Sequence, residues 1–277
     1  GLVGSEMCIR DRYTAACTWF EMITGQNVVG NPYAPETIDP QVVKIAQNAA
    51  HYAVQKPDEV TDLVDFKQPE ISDTDLKAPI YIDFGPTSLS ATPWNNITSH
   101  QESSTTSWIK DVENNYTNIG VRVLDGFTAT HAGVGSEPAS PVTVDGVEFP
   151  LTAWKDGLLV KGEKNQGDVG PGRIEISQLD VARKYNFTIL AIRFNGSKDA
   201  RISSYKLVGK TESAVKEVKT GIKDAASFAA ANFEEYIAKF ENVEPDSEGK
   251  VIVEVKGLDT GSAAEGHINA LCISLAK

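Results

Sequence analysis

Ester hydrolysis needs a nucleophile, a base and an orienting acid within hydrogen-bond reach, with donors aimed at the developing oxyanion. The sequence offers four histidines as bases: His51, His100, His131 and His267. Three places before them stand Asn48, Ile97, Thr128 and Ala264, so none forms an Asp-x-x-His arrangement. A Gly-Asp-Ser nucleophile block does not occur either; Gly167-Asp168 is followed by Val169. His51 falls in a helical stretch and reads as a surface or boundary residue. His100 and His131 fall in loops without a Cys or second His at metal-binding spacing. The expectation is a stretch with no catalytic residue, and so not an enzyme by itself.

Binding chemistry has better candidates. Sugar recognition combines an aromatic face with a few placed polar groups. Trp94, Trp108 and Trp154 could supply the face, and Trp94-Asn95-Asn96 reads as a polar loop after a strand. The plainer reading of each tryptophan is a plug in the apolar core. Arg193 ends a strongly apolar run and is followed by Asn195-Gly-Ser197. It is either a planar fork for a ligand or, as the preferred reading, the buried partner of a carboxylate such as Asp83 or Asp156. Arg201 reads the same way. The expected ligand contacts are Trp94, Asn95, Trp108, Arg193 and Asn195. Asp125, Asp156, Asp180 and Asp246 each flank a turn, where they suit capping; a structural calcium is the alternative, although no Asp-x-Asp-x-Asp loop appears. No other metal or cofactor is expected.

Two unlike parts must position these residues. Ala15, Ala16, Trp19, Phe20 and Ile23 recur at helical spacing before Gly25, a natural C-terminal cap. A loop over 27–37 follows. Asp39 and Pro40 open a second helix that ends near Lys56-Pro57. Two such helices leave apolar faces in need of a partner surface, so residues 13–55 are expected to dock loosely on the sandwich or to be poorly ordered, and exposed Trp19 and Phe20 to favour self-association. Residues 57–77 are acidic and read as a linker, with one short helix conceivable over 58–64. From Pro79 the period changes to two. About nine short runs, at 80–84, 120–124, 157–160, 173–176, 186–193, 202–208, 236–240, 250–255 and 267–274, predict a mainly β jelly-roll sandwich over 78–277. Residues 224–233 fit either a short helix or an irregular strand.

Two resemblances add to this reading. Tyr13-Thr-Ala-Ala-Cys-Thr-Trp-Phe-Glu-Met-Ile-Thr-Gly25 and Val29-Gly-Asn-Pro-Tyr-Ala-Pro35 resemble the C-terminal end of SGNH-type hydrolases related to carbohydrate esterases in Bacteroidetes. In that family the catalytic acid and base lie just before this helix, so the resemblance implies a truncated α/β domain whose machinery lies upstream of Tyr13. The β-rich part resembles the galactose-binding-like jelly roll. The residues that carry this are Ile82-Asp-Phe-Gly-Pro86, Trp94-Asn-Asn-Ile-Thr98, Asp125-Gly-Phe127, Leu179-Asp180, Lys184-Tyr185, Arg193, Arg201, Val243-Glu-Pro-Asp246, Gly249 and Ile268-Asn-Ala270. This resemblance implies the fold; a ligand belongs to the site rather than to the fold.

Residues 1–12 resemble a translated sequencing-library adapter, and the chain is expected to be a metagenome fragment entered part-way through a reading frame. Cys17 and Cys272 sit in apolar contexts and read as buried free thiols. A net charge of −12 repels phosphate backbones and disfavours nucleic acid as a partner. No apolar run approaches the ~20 residues of a membrane span. The function expected is a non-catalytic carbohydrate-binding domain, secreted, periplasmic or on the surface of a bacterium. Its partners would be a poly- or oligosaccharide and a missing N-terminal hydrolase domain. The alternative is a structural domain that only packs on and shapes that hydrolase.

Overall fold

A computed structural model describes residues 4–35, 38, 40–59, 76–161, 171–194, 201–258 and 265–277. Asp39, Asn195 and most of the expected linker, with its conceivable helix, lie outside the described residues. The chain forms two compact units, Gly1–Glu70 and Ile71–Lys277.

In the first unit, α1 (Gly4–Thr24) packs against α2 (Pro40–Gln55). α1 thus continues N-terminal to Tyr13. Gly25 ends it at φ +67°, where its N–H bonds the Glu21 carbonyl at 2.9 Å, as a C-terminal glycine should. The helices share a core of Tyr13, Cys17, Val28, Ile38, Ala46 and Ala50, so they are better packed than their sequence suggested. Tyr13, Cys17 and Glu21 face inward, while Trp19 and Ile23 are 69% and 80% exposed. Glu21 can be buried because its carboxylate accepts from the Val28 N–H (3.0 Å) and meets His51 Nδ1 at 2.7 Å. Gln47 holds the connection in place through Gly30 N, Asn31 O and the Tyr13 hydroxyl.

The second unit is a jelly-roll β-sandwich. One sheet runs β15 (Ile237–Val243), β10 (Tyr185–Leu190), β18 (Ala270–Leu275), β1 (Ile80–Phe84) and β2 (Trp94–Ile97). The other runs β13 (Lys216–Lys219), β12 (Ile202–Val208), β16 (Val251–Gly257), β9 (Gly172–Ser177), β4 (Gly120–Asp125) and β3 (Thr105–Thr106). Neighbours are antiparallel except β1 and β2. Period-two alternation fills the space between the sheets. Ile80, Ile82, Phe187, Ile189, Leu271 and Ile273 project from one sheet, and Val123, Ile174, Ile176, Val251, Val253 and Val255 from the other.

The opposite parity builds a second core. Tyr81, Trp94, Leu190, Ala270 and Cys272 belong to the outer face of the five-stranded sheet, where they are covered by a hairpin, Trp154, Phe228 and Tyr236. The hairpin joins β6 (Val142–Val144) to β7 (Val147–Phe149) through Asp145-Gly146, whose φ values of +52° and +76° give the left-handed turn that matches strand twist. Residues 224–233 settle as a helix, Ala225–Ala229, capped by the Asp224 carboxylate on Ser227 N. Cys17 and Cys272 are buried free thiols, as read from sequence, and burial pushes both thiol pKa values up.

The expected run 186–193 does not continue as one strand. It breaks after Leu190 and resumes as β11 (Arg193–Phe194), beside β14 (Gly221–Ile222). Asn269, fully buried, ties this break together. Its Oδ1 accepts from Ile192 N (2.8 Å), and its Nδ2 donates to Trp154 O (2.9 Å) and Asp156 O (2.7 Å). Replacing Asn269 by Ala strands three buried backbone groups at once. We expect a loss on the order of 3 kcal/mol, seen as a lower urea midpoint with an unchanged denaturant slope.

Candidate ligand-binding site

The sequence-derived contacts scatter. Trp94 and Asn95 lie on strand β2, not in a polar loop. Trp94 is half-buried, with its ring 5.0 Å from Tyr81 and 5.6 Å from Phe149, because β2 parity turns it to the outer core. Asn95 is fully engaged as a clamp: Nδ2 donates to Tyr81 O and Lys110 O, and Oδ1 accepts from Lys110 N. Trp108, two residues before the clamped Lys110, is half-buried at φ +53°. Trp154 is a core plug, wholly buried and stacked on Phe228 at 4.9 Å.

The four turn acids do local work. Asp156 Oδ2 accepts from Thr87 N, Thr87 Oγ1 and Ser88 N. Asp180 and Asp246 cap Ala182 N and, for the latter, Glu248 N and Lys250 N. Asp125 instead pairs with Arg173 at 3.0 Å. Among the described residues, no group of three or more His, Cys, Asp or Glu comes together that could hold a metal. Asp83 accepts from Ser90 N, and its other oxygen has no partner. Burial, reinforced by Asp156, raises the Asp83 carboxyl to about 7.

Arg193 pairs with neither Asp83 nor Asp156, which corrects the preferred sequence reading. The break after Leu190 turns it into a different cluster. Its Nη1 stands 3.3 Å from His131 Nδ1. The rings of His131 and His267 meet edge to face at 5.0 Å. His267 Nε2 lies 3.6 Å from Glu265 Oε2, and Arg201 Nη2 reaches the same oxygen at 3.2 Å. The backbone closes the loop: Arg193 N donates to Thr220 O, and Thr220 N donates to Arg201 O. Five ionisable side chains thus surround one spot, drawn from β5 (Ala129–His131), β17 (Glu265–Ile268), β11 and the start of β12. The β5–β8 pairing sets His131 opposite Gly157 of β8 (Gly157–Lys161). A Cβ at Gly157 would come within 3.1 Å of His131 Nε2 and 2.5 Å of Ile268 O, so glycine permits the approach.

Burial fixes the charge states. His131, Arg201 and His267 are 5%, 4% and 0% exposed, whereas Arg193 is half-buried. Burial holds His131 well below its usual pKa and His267 at about 4, helped by the neighbouring guanidiniums. Both are neutral at pH 7. Glu265 is held at about 2 by His267 and the two arginines and is a carboxylate. Burial lowers both arginine pKa values, yet a guanidinium stays protonated in a protein. Ser203 does not meet an imidazole here; its Oγ accepts from the backbone N–H of His267. Sequence reading missed the cluster because its members are spread from 131 to 267. The usable signal was His267, a polar residue inside an apolar strand run.

Comparisons add a family match and distant folds. Residues 8–53 match a family described as a domain of unknown function, DUF4886. No curated protein matches the sequence. A carbohydrate-binding module, TmCBM61, solved with β-1,4-galactotriose, aligns over 44% of this chain and 71% of its own at 14% identity and a TM-score of 0.26. The ANX2 ectodomain of Arabidopsis thaliana aligns over 62% of this chain and 53% of its own, at 7% identity and a TM-score of 0.38. A chain of the complex of plant peptide RALF23 with FER and LLG2 aligns over 71% and 48%, at 10% identity and a TM-score of 0.40. The alignments span about half the length of these two plant chains. No helix among the described residues is long and apolar enough to cross a membrane.

The raised Asp83 pKa has a testable sign. The folded state holds a proton on Asp83 that the unfolded state, with its carboxyl near 3.8, gives up. Stability is therefore lost as pH rises from about 4 to about 7, and the penalty is constant above that. Asp83→Asn keeps an acceptor for Ser90 N and removes the titration. Thermal melts should show a gain for the variant that is small at pH 4, grows to pH 7 and levels off. A gain independent of pH contradicts this assignment.

Proposed function

We propose that the β-unit is a non-catalytic carbohydrate-binding domain, secreted or held at a bacterial surface beside an SGNH-type carbohydrate esterase. The observation that supports glycan binding most is the half-open cluster around Arg193. It presents guanidinium and imidazole N–H groups that point at no acceptor among the described residues: Arg193 Nε, Arg201 Nε and Nη1, and a ring nitrogen of His131. Sugars offer the acceptor oxygens such donors require, and pockets of this kind join a few fixed polar groups to apolar walls. Trp94 and Trp108, both half-buried, are aromatic surfaces that could take a sugar face. The place beside an esterase is supported by the resemblance of residues 13–35 and by the bare apolar row Trp19, Met22 and Ile23 on α1. A binding domain there would raise the effective concentration of the esterase near its polymer.

Affinity electrophoresis through a panel of plant and bacterial polysaccharides tests the reading. Retardation is expected on at least one polymer, with Arg193→Gln weakening it about tenfold or more. Trp94→Ala and Trp108→Ala report whether an aromatic face takes part. No retardation on any polymer favours a purely packing role and overturns the proposal. Acetyl release by this chain should stay at background; clear turnover contradicts the non-catalytic assignment.

A further inference from the structure

We infer that the Arg193–Arg201 cluster seats an anionic group on the sugar, the carboxylate of a uronic acid or a sulfate ester. This rests on the glycan-binding reading above and names the ligand class of that same site.

Charge is the first argument. Arg193 and Arg201 carry two positive charges and Glu265 returns one negative; both histidines are neutral at pH 7. Among the described residues, Arg193 has no carboxylate within ion-pair distance, and Glu265 is given to Arg201 and His267. Glu137, the other carboxylate that acts on Arg193, is taken by the Val134 and Gly135 N–H groups, so Arg193 has no counter-charge in contact, beside side chains that are at most 5% exposed. A partly buried ion without a counter-charge is costly, and a bound anion relieves that cost.

Donor count is the second. A guanidinium has no acceptor, so the contact from Arg193 Nη1 requires His131 Nδ1 to be the bare nitrogen. The proton then sits on His131 Nε2, which is buried and meets no acceptor among the described residues. Arg193 Nε, Arg201 Nε and Arg201 Nη1 are in the same position. Four buried N–H donors are thus left without an acceptor, against Thr220 Oγ1 and a nitrogen of His267 as unpartnered acceptors. A carboxylate or sulfate brings several acceptor lone pairs and a negative charge together, and matches the planar fork of an arginine. A neutral hydroxyl brings an acceptor without the charge. Arg193, half-buried, and Glu265, 21% exposed, are the members through which such a group would enter.

Titration calorimetry at low salt tests this with matched ligands. Oligogalacturonides are compared with the same oligomers after carboxyl reduction, with sulfated oligosaccharides and with neutral β-1,4-galacto-oligosaccharides. The acidic or sulfated ligands should bind at least about tenfold tighter than their neutral counterparts, with the preference shrinking as salt is raised. The carboxylate and sulfate arms identify which oxyanion is taken. Arg193→Lys keeps the charge and loses the fork, and should lose most of the preference. Equal affinity for an acid and its reduced form, or binding of neutral sugars alone, overturns this inference and leaves glycan binding intact. No binding in any arm overturns the glycan-binding reading itself. The reduced ligands keep the test valid even where an arginine variant folds poorly.

Discussion

Arg193 and Arg201 lie side by side inside the β-unit with Glu265 paired to Arg201 alone, and much of the local architecture exists to hold them so. The strand that would carry Arg193 past the cluster is broken after Leu190, and Asn269 satisfies the backbone freed by that break. Thr220 bonds both arginine backbones and keeps them side by side. Gly157 lets the His131 ring approach. Tyr205 donates its hydroxyl to the His267 carbonyl from the facing sheet, which fixes the backbone under the second ring. A guanidinium that could swing into water would need none of this. The protein instead restrains side chains whose donors are left facing inward, the arrangement on which the proposed binding rests.

The same unit solves the opposite problem at Asp83 and Asp156. There two carboxylates are wholly buried, but the surplus charge is handled internally. Asp156 collects three donors from the Thr87–Ser88 turn, and Asp83 keeps a proton up to about pH 7. Arginine has no such escape, because it does not release its proton. Both pairs keep buried polar atoms without a partner, Asp83 Oδ1 and Asp156 Oδ1 in one and guanidinium nitrogens in the other; they differ in that the acidic pair can hold a proton.

The jelly roll was legible because its strands are amphipathic in period two. Val251, Val253 and Val255 alternate so regularly that the sheet face follows directly. Gly25 after α1 was readable as a C-terminal cap for a similarly local reason. The site was hidden because parity alone cannot say what covers a sheet's outer face. Trp94 looked like a loop aromatic until β2 turned it onto Tyr81 and Phe149. Trp154 resolved as the core plug that its composition also allowed. Exposure of Trp19 was expected; burial of the charged Glu21 on the inner face of α1 was not, and the Val28 and His51 contacts explain it. Arg193 was expected to pair with a carboxylate such as Asp83 or Asp156. The partners named for it were wrong, because a break of the strand cannot be seen in an unbroken apolar run.

The most direct measurement follows the arginine side chains themselves. Nitrogen–proton spectra of the guanidinium Nε–H groups, assigned through Arg193 and Arg201 variants, can be recorded while a bound glycan is added. The account predicts that the Nε–H resonances of Arg193 and Arg201 shift together and become protected from exchange with solvent, with the same midpoint as binding. Saturation with a glycan that leaves both resonances unmoved, while the Trp94 or Trp108 indole shifts, would contradict it.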